Sequence, residues 1–276
     1  MPQISARFVE FLDQTALPAD SIRAAAALGI TALKVALEEP PGLATDLARA
    51  FVDDALVRFL RPENAEAYIE QCDAAAELFS DAPHPSVRLQ AYRARYYKVH
   101  RMRSLKRGEE ALDVQRALIA DIDNASDSLL FSIQANALAA VSGILEDSGQ
   151  RAAANTVLND IVTRFEAADD PDLMLSCAWA RHNRAEAHAR AGDKAGAAAE
   201  FAVIVTRYGD AVTAALKDRV AMALWRQAEL ALSVEDYATA RAHFEAILHR
   251  FQNDGEQSLK TMVKDATKKL KALAAA

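Results

Sequence analysis

The feature that most constrains this chain is a periodicity of about 43 residues. Three segments, DIVTRFEAADDPDL, VIVTRYGDAVTAAL and AILHRFQNDGEQSL, carry the aromatics Phe165, Tyr208 and Phe251 at equal spacing. The same step backwards reaches Ile122 and Phe79. Other positions keep the register. Ala111, Ala154, Ala197 and Ala240 form an invariant column. Leu118, Ile161, Ile204 and Ile247 form a second, and Ile119, Val162, Val205 and Leu248 a third. Val87, Leu130, Leu173, Leu216 and Leu259 open successive repeats, and Val99, Ser142, Ala185 and Ala228 are mostly small. A repeat of this length is one supersecondary unit. It cannot bury its own apolar face and has to stack on its neighbours.

Each unit reads as two helices. The second follows a break such as Ser148–Gln150 or Ala191–Asp193, and its apolar residues Ala197, Phe201, Ile204 and Val205 have helical spacing. The invariant alanine belongs where two helices cross closely. Alanine is abundant, glycine and proline are few, and runs of β-branched and aromatic residues are nearly absent, all of which favours helix. Pro18, Pro40, Pro41, Pro62, Pro83, Pro85 and Pro171 fall between the expected helices. Asp127, Asp170 and Asp210 are placed to cap helix starts.

The segments AEAHARAGDKAGAAAEFAVIVTRYGD and AELALSVEDYATARAHFEAILHRF resemble tetratricopeptide (TPR) units. The residues that carry the resemblance are Ala185, Gly192-Asp193, Ala197, Phe201 and Ile204, then Ala228, Glu235-Asp236, Ala240, Phe244 and Ile247. It extends over roughly 127–252 and is weaker over 44–126. The period exceeds the usual TPR length of about 34 residues, and the extra residues fall between units, as in bacterial arrays with a lengthened first helix. The large residue that the family has in its first helix is mostly missing here. The period alone also suits HEAT or armadillo repeats. The resemblance implies an all-α, right-handed superhelical solenoid of antiparallel helix pairs, about 13 helices with capping helices at both ends. The expected organisation is capping helices at 1–42 (3–15 and 19–38), repeats over 43–254 in units of 43–80, 85–123, 127–166, 170–208 and 211–252, and a final capping helix at 255–276. That last helix carries Lys260, Lys264, Lys268, Lys269 and Lys271, a polar outer surface for the cap.

The net charge of −7 argues against general nucleic-acid binding. Cys72 and Cys177, far apart in apolar helical patterns, read as reduced core residues. The opening residues lack a basic region followed by an apolar stretch. The longest apolar stretch read from sequence, 24–37, is interrupted by Lys34 and too short to span a bilayer, so no membrane contact and a cytoplasmic location are expected. No phosphate loop, GxSxG or HExxH motif is present. His182 and His188, like His243 and His249, are six residues apart and so about 120° apart around a helix, which does not suit a metal pair. A catalytic site, a cofactor and a metal are therefore not expected.

In TPR proteins the first helices line a concave groove. The register puts Arg93, Tyr96, Tyr97, His100 and Arg103 on that face, then Asn136, Ala139, Gly143 and Glu146. Trp179, His182, Asn183 and Glu186 follow, and then Met222, Trp225, Arg226 and Glu229. Both tryptophans of the chain lie on it, and Trp, Tyr and Arg are the types that most often carry binding energy. They also suit filling between adjacent helices. From Arg88 to Arg107 there are eight cations and no acid, with Tyr92, Tyr96 and Tyr97 interleaved. This is either an anchor for an acidic peptide or a solvated face balanced by Asp46, Asp53, Asp54, Glu66, Glu70, Asp73 and Glu77. The expected function is a non-enzymatic protein–protein interaction module that takes a peptide or helix of a partner, of acidic character, in its groove. Alternatives are a scaffold that forms homo-oligomers through its terminal helices and a regulatory sensor of a small peptide.

Overall fold

The computed structural model describes residues 45, 48–49, 51–53, 64–82, 84–125 and 127–275, so the expected capping helices at 3–15 and 19–38 lie outside the described residues. Between residues 65 and 275 the chain runs through ten α-helices. These are α1 (Ala65–Phe79), α2 (Pro85–Ser104), α3 (Gly108–Ala125), α4 (Phe131–Asp147), α5 (Arg151–Phe165), α6 (Pro171–Arg190), α7 (Lys194–Tyr208), α8 (Ala214–Leu232), α9 (Tyr237–Phe251) and α10 (Gln257–Ala275). A single 3-10 turn, Ser128–Leu130, precedes α4, and the described residues contain no strand. The chain divides into two compact units, Met1–Ile144 and Leu145–Ala276, with the division inside α4. In the first unit α2 packs against both α1 and α3. In the second, each helix from α5 to α10 packs on the next, and the alternate helices α6, α8 and α10 also touch in succession.

The register is set at the turns. Lys106, Gly149, Gly192 and Glu235, each 43 residues from the next, all take left-handed backbone, with φ of 62, 76, 82 and 62°. The N–H of the following residue donates to a carbonyl five residues back. The pairs are Arg107 to Met102 (3.0 Å), Gln150 to Leu145 (2.8 Å), Asp193 to His188 (2.9 Å) and Asp236 to Ala231 (3.0 Å). This is the Schellman closure of a helix C-terminus. Glycine adopts it freely, whereas Lys106 and Glu235 hold it at a cost of roughly 1 kcal/mol each.

The aspartate after the turn then starts the second helix. Asp193 accepts from the Gly196 N–H (2.8 Å) and Asp236 from the Thr239 N–H (3.0 Å). Asp170 caps α6 through the N–H groups of Asp172 and Leu173, with Pro171 in the first helical position, where no N–H is needed. Asp127 accepts from Leu129 N–H in the 3-10 turn. Asp210 does not cap. It lies four residues before α8, whose N-cap is Thr213, and the Thr213 side chain makes no capping bond.

The columns share one environment. Ala111, Ala154, Ala197 and Ala240 are buried, as are Leu118, Ile161, Ile204 and Ile247. So are Phe79, Ile122, Phe165, Tyr208 and Phe251, and the opening residues Val87, Leu130, Leu173, Leu216 and Leu259. The third column is shallower: Val162 is buried, while Ile119, Val205 and Leu248 are half-buried. Both cysteines are free and buried, and desolvation pushes the Cys72 thiol up to about 12 and that of Cys177 to about 11. Among the described residues one segment, Ser128–Asp147, is long and apolar enough to cross a membrane by length and composition, and 61% of it is buried inside the protein; residues 24–37 lie outside the described residues.

Because Ala197 has no accessible surface, Ala197→Leu is expected to cost about 1–3 kcal/mol by overpacking. Ala195→Leu, on the exposed side of the same helix, should change stability by no more than about 0.5 kcal/mol. Urea denaturation of the two variants checks this, and equal midpoints would contradict it.

Candidate functional site

In the first unit the basic helix α2 is largely neutralised by its own neighbours. The Arg93 guanidinium donates to Asp53 Oδ1 (3.0 Å), Gln90 Oε1 (2.6 Å) and Tyr97 Oη (3.1 Å), and lies 5.4 Å from the centre of the Tyr97 ring. Arg95 pairs with Asp121 (2.6 Å) and Lys98 with both oxygens of Asp73 (2.7 and 2.8 Å). Arg107 reaches Glu66 (3.3 Å) and Glu110 (2.7 Å). Arg88 donates to the Ala82 carbonyl (2.7 Å), and Arg101 sits over the Tyr68 ring at 5.7 Å. Three acids read from sequence as balancing charges, Asp53, Glu66 and Asp73, do so here, joined by Asp121 and Glu110.

Tyr96 packs against the core cluster of Leu118, Ile122 and Leu130 and meets His100 edge-on, 4.7 Å between ring centres. Arg103 lies across Gly143, where a Cβ would come within 3.4 Å of its guanidinium nitrogens. Asn136 is exposed. The face therefore holds the expected residues, but its cations are already engaged.

In the second unit the first-helix residues come together on α6 and α8. Trp225 is half-buried and sets its ring against Phe244 at 5.1 Å, with 70° between planes. His182, 43 residues earlier, makes the same contact with Phe201 at 5.3 Å and 67°. His182 is only 9% exposed, so it is a core residue and does not offer a groove contact. Trp179 is half-buried, and its carbonyl accepts from Asn183 Nδ2 (2.9 Å), which ties that amide to its own helix. Arg226 joins neighbouring first helices by a bidentate pair with Glu186, Nε to Oε1 and Nη2 to Oε2, both 2.6 Å. It also reaches Glu229 (2.6 Å).

Between α8 and α10 lies a cleft of about 250 Å³ lined by Met222, Trp225, Arg226, Ser258, Thr261, Met262 and Asp265. Its lining surface is mostly apolar. Ser258 Oγ donates to Asp218 (2.8 Å) at the near end. The groove residues read from sequence included Trp225 and Arg226, with Met222 beside them, but none of the α10 residues, because that helix was read as a cap.

Sequence reading also missed a charged network in the interior. Arg181 bridges Glu166 and Glu200, and Arg184 pairs with the other oxygen of Glu200 (2.6 Å). Arg181 and Glu200 side chains are each 11% exposed. The columns contained the signal. Arg181 stands where adjacent units have Leu138 and Leu224, and Glu200 stands where they have Val157 and His243. One unit thus replaces two facing positions with opposite charges. Among the described residues no three His, Cys, Asp or Glu side chains group as a metal site would.

No family model matches the chain, and no curated protein matches it. An engineered protein whose crystal structure comes from the Northeast Structural Genomics Consortium is similar over 99% of this chain and 98% of its own, at 14% identity and a TM-score of 0.47.

Removing Arg181 leaves Glu200 and Glu166 without their shared partner, so Arg181→Met is expected to cost about 3 kcal/mol in chemical denaturation; a neutral effect would show the network to be superficial. His182 supplies a pH test. Its Nδ1 is buried without a partner, and Nε2 stands 3.7 Å from Glu186 Oε1. Burial holds its pKa below 6.5; the nearby Glu186 pulls it up, and Arg219 and Arg226 push it further down. The unfolded chain therefore takes up this proton first, and stability contributed by neutral His182 falls as pH drops below about 6.5. The stability lost between about pH 7.5 and pH 5.5 should be smaller in His182→Leu than in wild type. His100 and His243, which shift in the same direction, contribute equally to both proteins.

Proposed function

We propose that the chain is a non-enzymatic protein-interaction module, a right-handed solenoid of tetratricopeptide type that receives a peptide from a partner protein along its first helices. The recurrence every 43 residues of one turn geometry and one buried alanine supports a regular helical repeat. The contacts of α6 with α8, and of α8 with α10, place first helices side by side, as a peptide-binding face requires.

The observation that carries the proposal is the cleft between α8 and α10. Met222, Trp225 and Met262 give it a polarizable, adaptable apolar lining. Arg226 is held in place at its edge by Glu186 and Glu229. At about 250 Å³ the cleft is smaller than a typical small-molecule site of roughly 300–1,000 Å³, and it suits one large apolar side chain of a longer ligand. That favours a peptide over a free metabolite.

Selection of a random dodecapeptide library displayed on phage, on the full chain, tests the reading. Enriched peptides should bind wild type and lose affinity about tenfold or more to Trp225→Ala or Met262→Glu, in line with truncation of an anchor contact. Circular dichroism checks that both variants remain folded. Absence of enrichment, or equal binding to wild type and both variants, would sink it.

A further inference from the structure

The two basic helices of this chain are in opposite states. On α2, Arg93, Arg95 and Lys98 are each paired with a carboxylate, as is Arg107 in the turn that follows it. On α10, Lys260, Lys264, Lys268, Lys269 and Lys271 are all exposed, accompanied by one acid, Asp265, and none of the five forms an ion pair with a described residue. In a protein of net charge −7 this is a concentrated and uncompensated positive surface.

Its position connects it to the cleft. At 100° per residue, Lys260, Lys264, Lys268 and Lys271 fall within about 80° of one another. On the same scale, measured from Lys260, the cleft-lining residues Thr261, Asp265, Ser258 and Met262 fall at about 100° to 200°, so the lysine row borders the cleft on its Thr261 side, with Lys268 nearest, and Lys269 at about 180° continues the Met262 and Asp265 row by one turn. Lys268 and Lys269 also stand 43 residues after Trp225 and Arg226, in the same first-helix columns.

We infer that the peptide received by the cleft between α8 and α10 is acidic: an uncharged apolar residue enters between Met222, Trp225 and Met262, and neighbouring carboxylates lie on Lys264, Lys268 and Lys269. This rests on the interaction reading above and specifies its ligand. Asp265 in the lining disfavours an acid at the inserted position itself and directs the carboxylates towards the lysines. Other polyanions fit less well. An amphipathic helix lying on anionic lipid needs a free apolar face, and the apolar face of α10, Leu259 and Ala266, is already buried within the protein. Single-stranded nucleic acid calls for aromatic platforms among the cations, and α10 has no aromatic residue.

The test uses two phage libraries with a central apolar residue, one flanked by Asp and Glu, the other by Lys and Arg. Both are selected on the full wild-type chain and on Lys264→Gln/Lys268→Gln/Lys269→Gln, whose folding is checked by circular dichroism. The acidic library should enrich on wild type. Its leading peptide should weaken about tenfold on the lysine variant, and should weaken between about 50 and 300 mM salt. Enrichment of the basic library instead, with binding still lost in Trp225→Ala, would overturn the acidic ligand and leave the interaction reading standing. Enrichment of neither would overturn both. Cosedimentation of the wild-type chain with phosphatidylserine vesicles, abolished by the same three substitutions, would assign the lysines to a lipid surface and overturn the peptide.

Discussion

The fold depends on a close approach made possible by a missing side chain. Each second helix crosses its neighbours at an alanine, Ala111, Ala154, Ala197 or Ala240, with essentially no accessible surface. The Schellman turn a few residues earlier fixes where that alanine arrives. The turn is closed by a backbone hydrogen bond, so its geometry tolerates different side chains. Lysine and glutamate occupy the left-handed position in two units and glycine in the other two. The alanine column permits no such exchange, because anything larger pushes the helices apart. The turn explains why the spacing is constant, and the alanine column keeps the same burial in every unit.

The legible part of this structure was the part that repeats. Opening residues, alanines and terminal aromatics could be aligned in the sequence, and each column has a common burial. What departs from a column could be located but not interpreted. His182 and Trp225 share one column and one contact, an edge-on approach to Phe201 or Phe244. Helical periodicity assigns both to the groove. The imidazole is small enough to sit inside, whereas the indole reaches the cleft. Asp210 failed as a cap because the number of residues between α7 and α8 decides which one meets the free N–H groups, and periodicity does not count loop residues. Arg181 and Glu200 are legible only as a pair, since either alone resembles a solvated charge.

Electrostatics was the least legible level. The run from Arg88 to Arg107 is the most basic stretch in the sequence, and the five lysines of the last helix are less conspicuous. Local density is a poor guide because the compensating charges come from helices 25 to 41 residues away, as with Asp73 for Lys98, Asp121 for Arg95 and Glu66 for Arg107. Pairing within a structure removes a charge from the field available to a ligand. The effective positive surface is therefore the helix whose lysines pair with no described acid.

Following the first-helix columns through the second unit shows how one scaffold makes a graded surface. Trp179, His182 and Asn183 are succeeded by Met222, Trp225 and Arg226, and these by Asp265, Lys268 and Lys269. These residues hold equivalent register positions on helices that touch in succession. Only side-chain chemistry changes, from satisfied and partly interior, through apolar and clamped, to open and basic. The bidentate pair of Glu186 with Arg226 sits at the middle step, and it has two consequences. It fixes α8 against α6, so the apolar lining beyond it has a firm wall. It also consumes the arginine's charge, so Arg226 shapes the cleft without setting the sign of what enters. The sign is left to the lysines one unit further on. A repeat protein can in this way separate the residue that anchors a ligand from the residues that select its charge, because each column position in each unit changes independently of the packing that holds the array together.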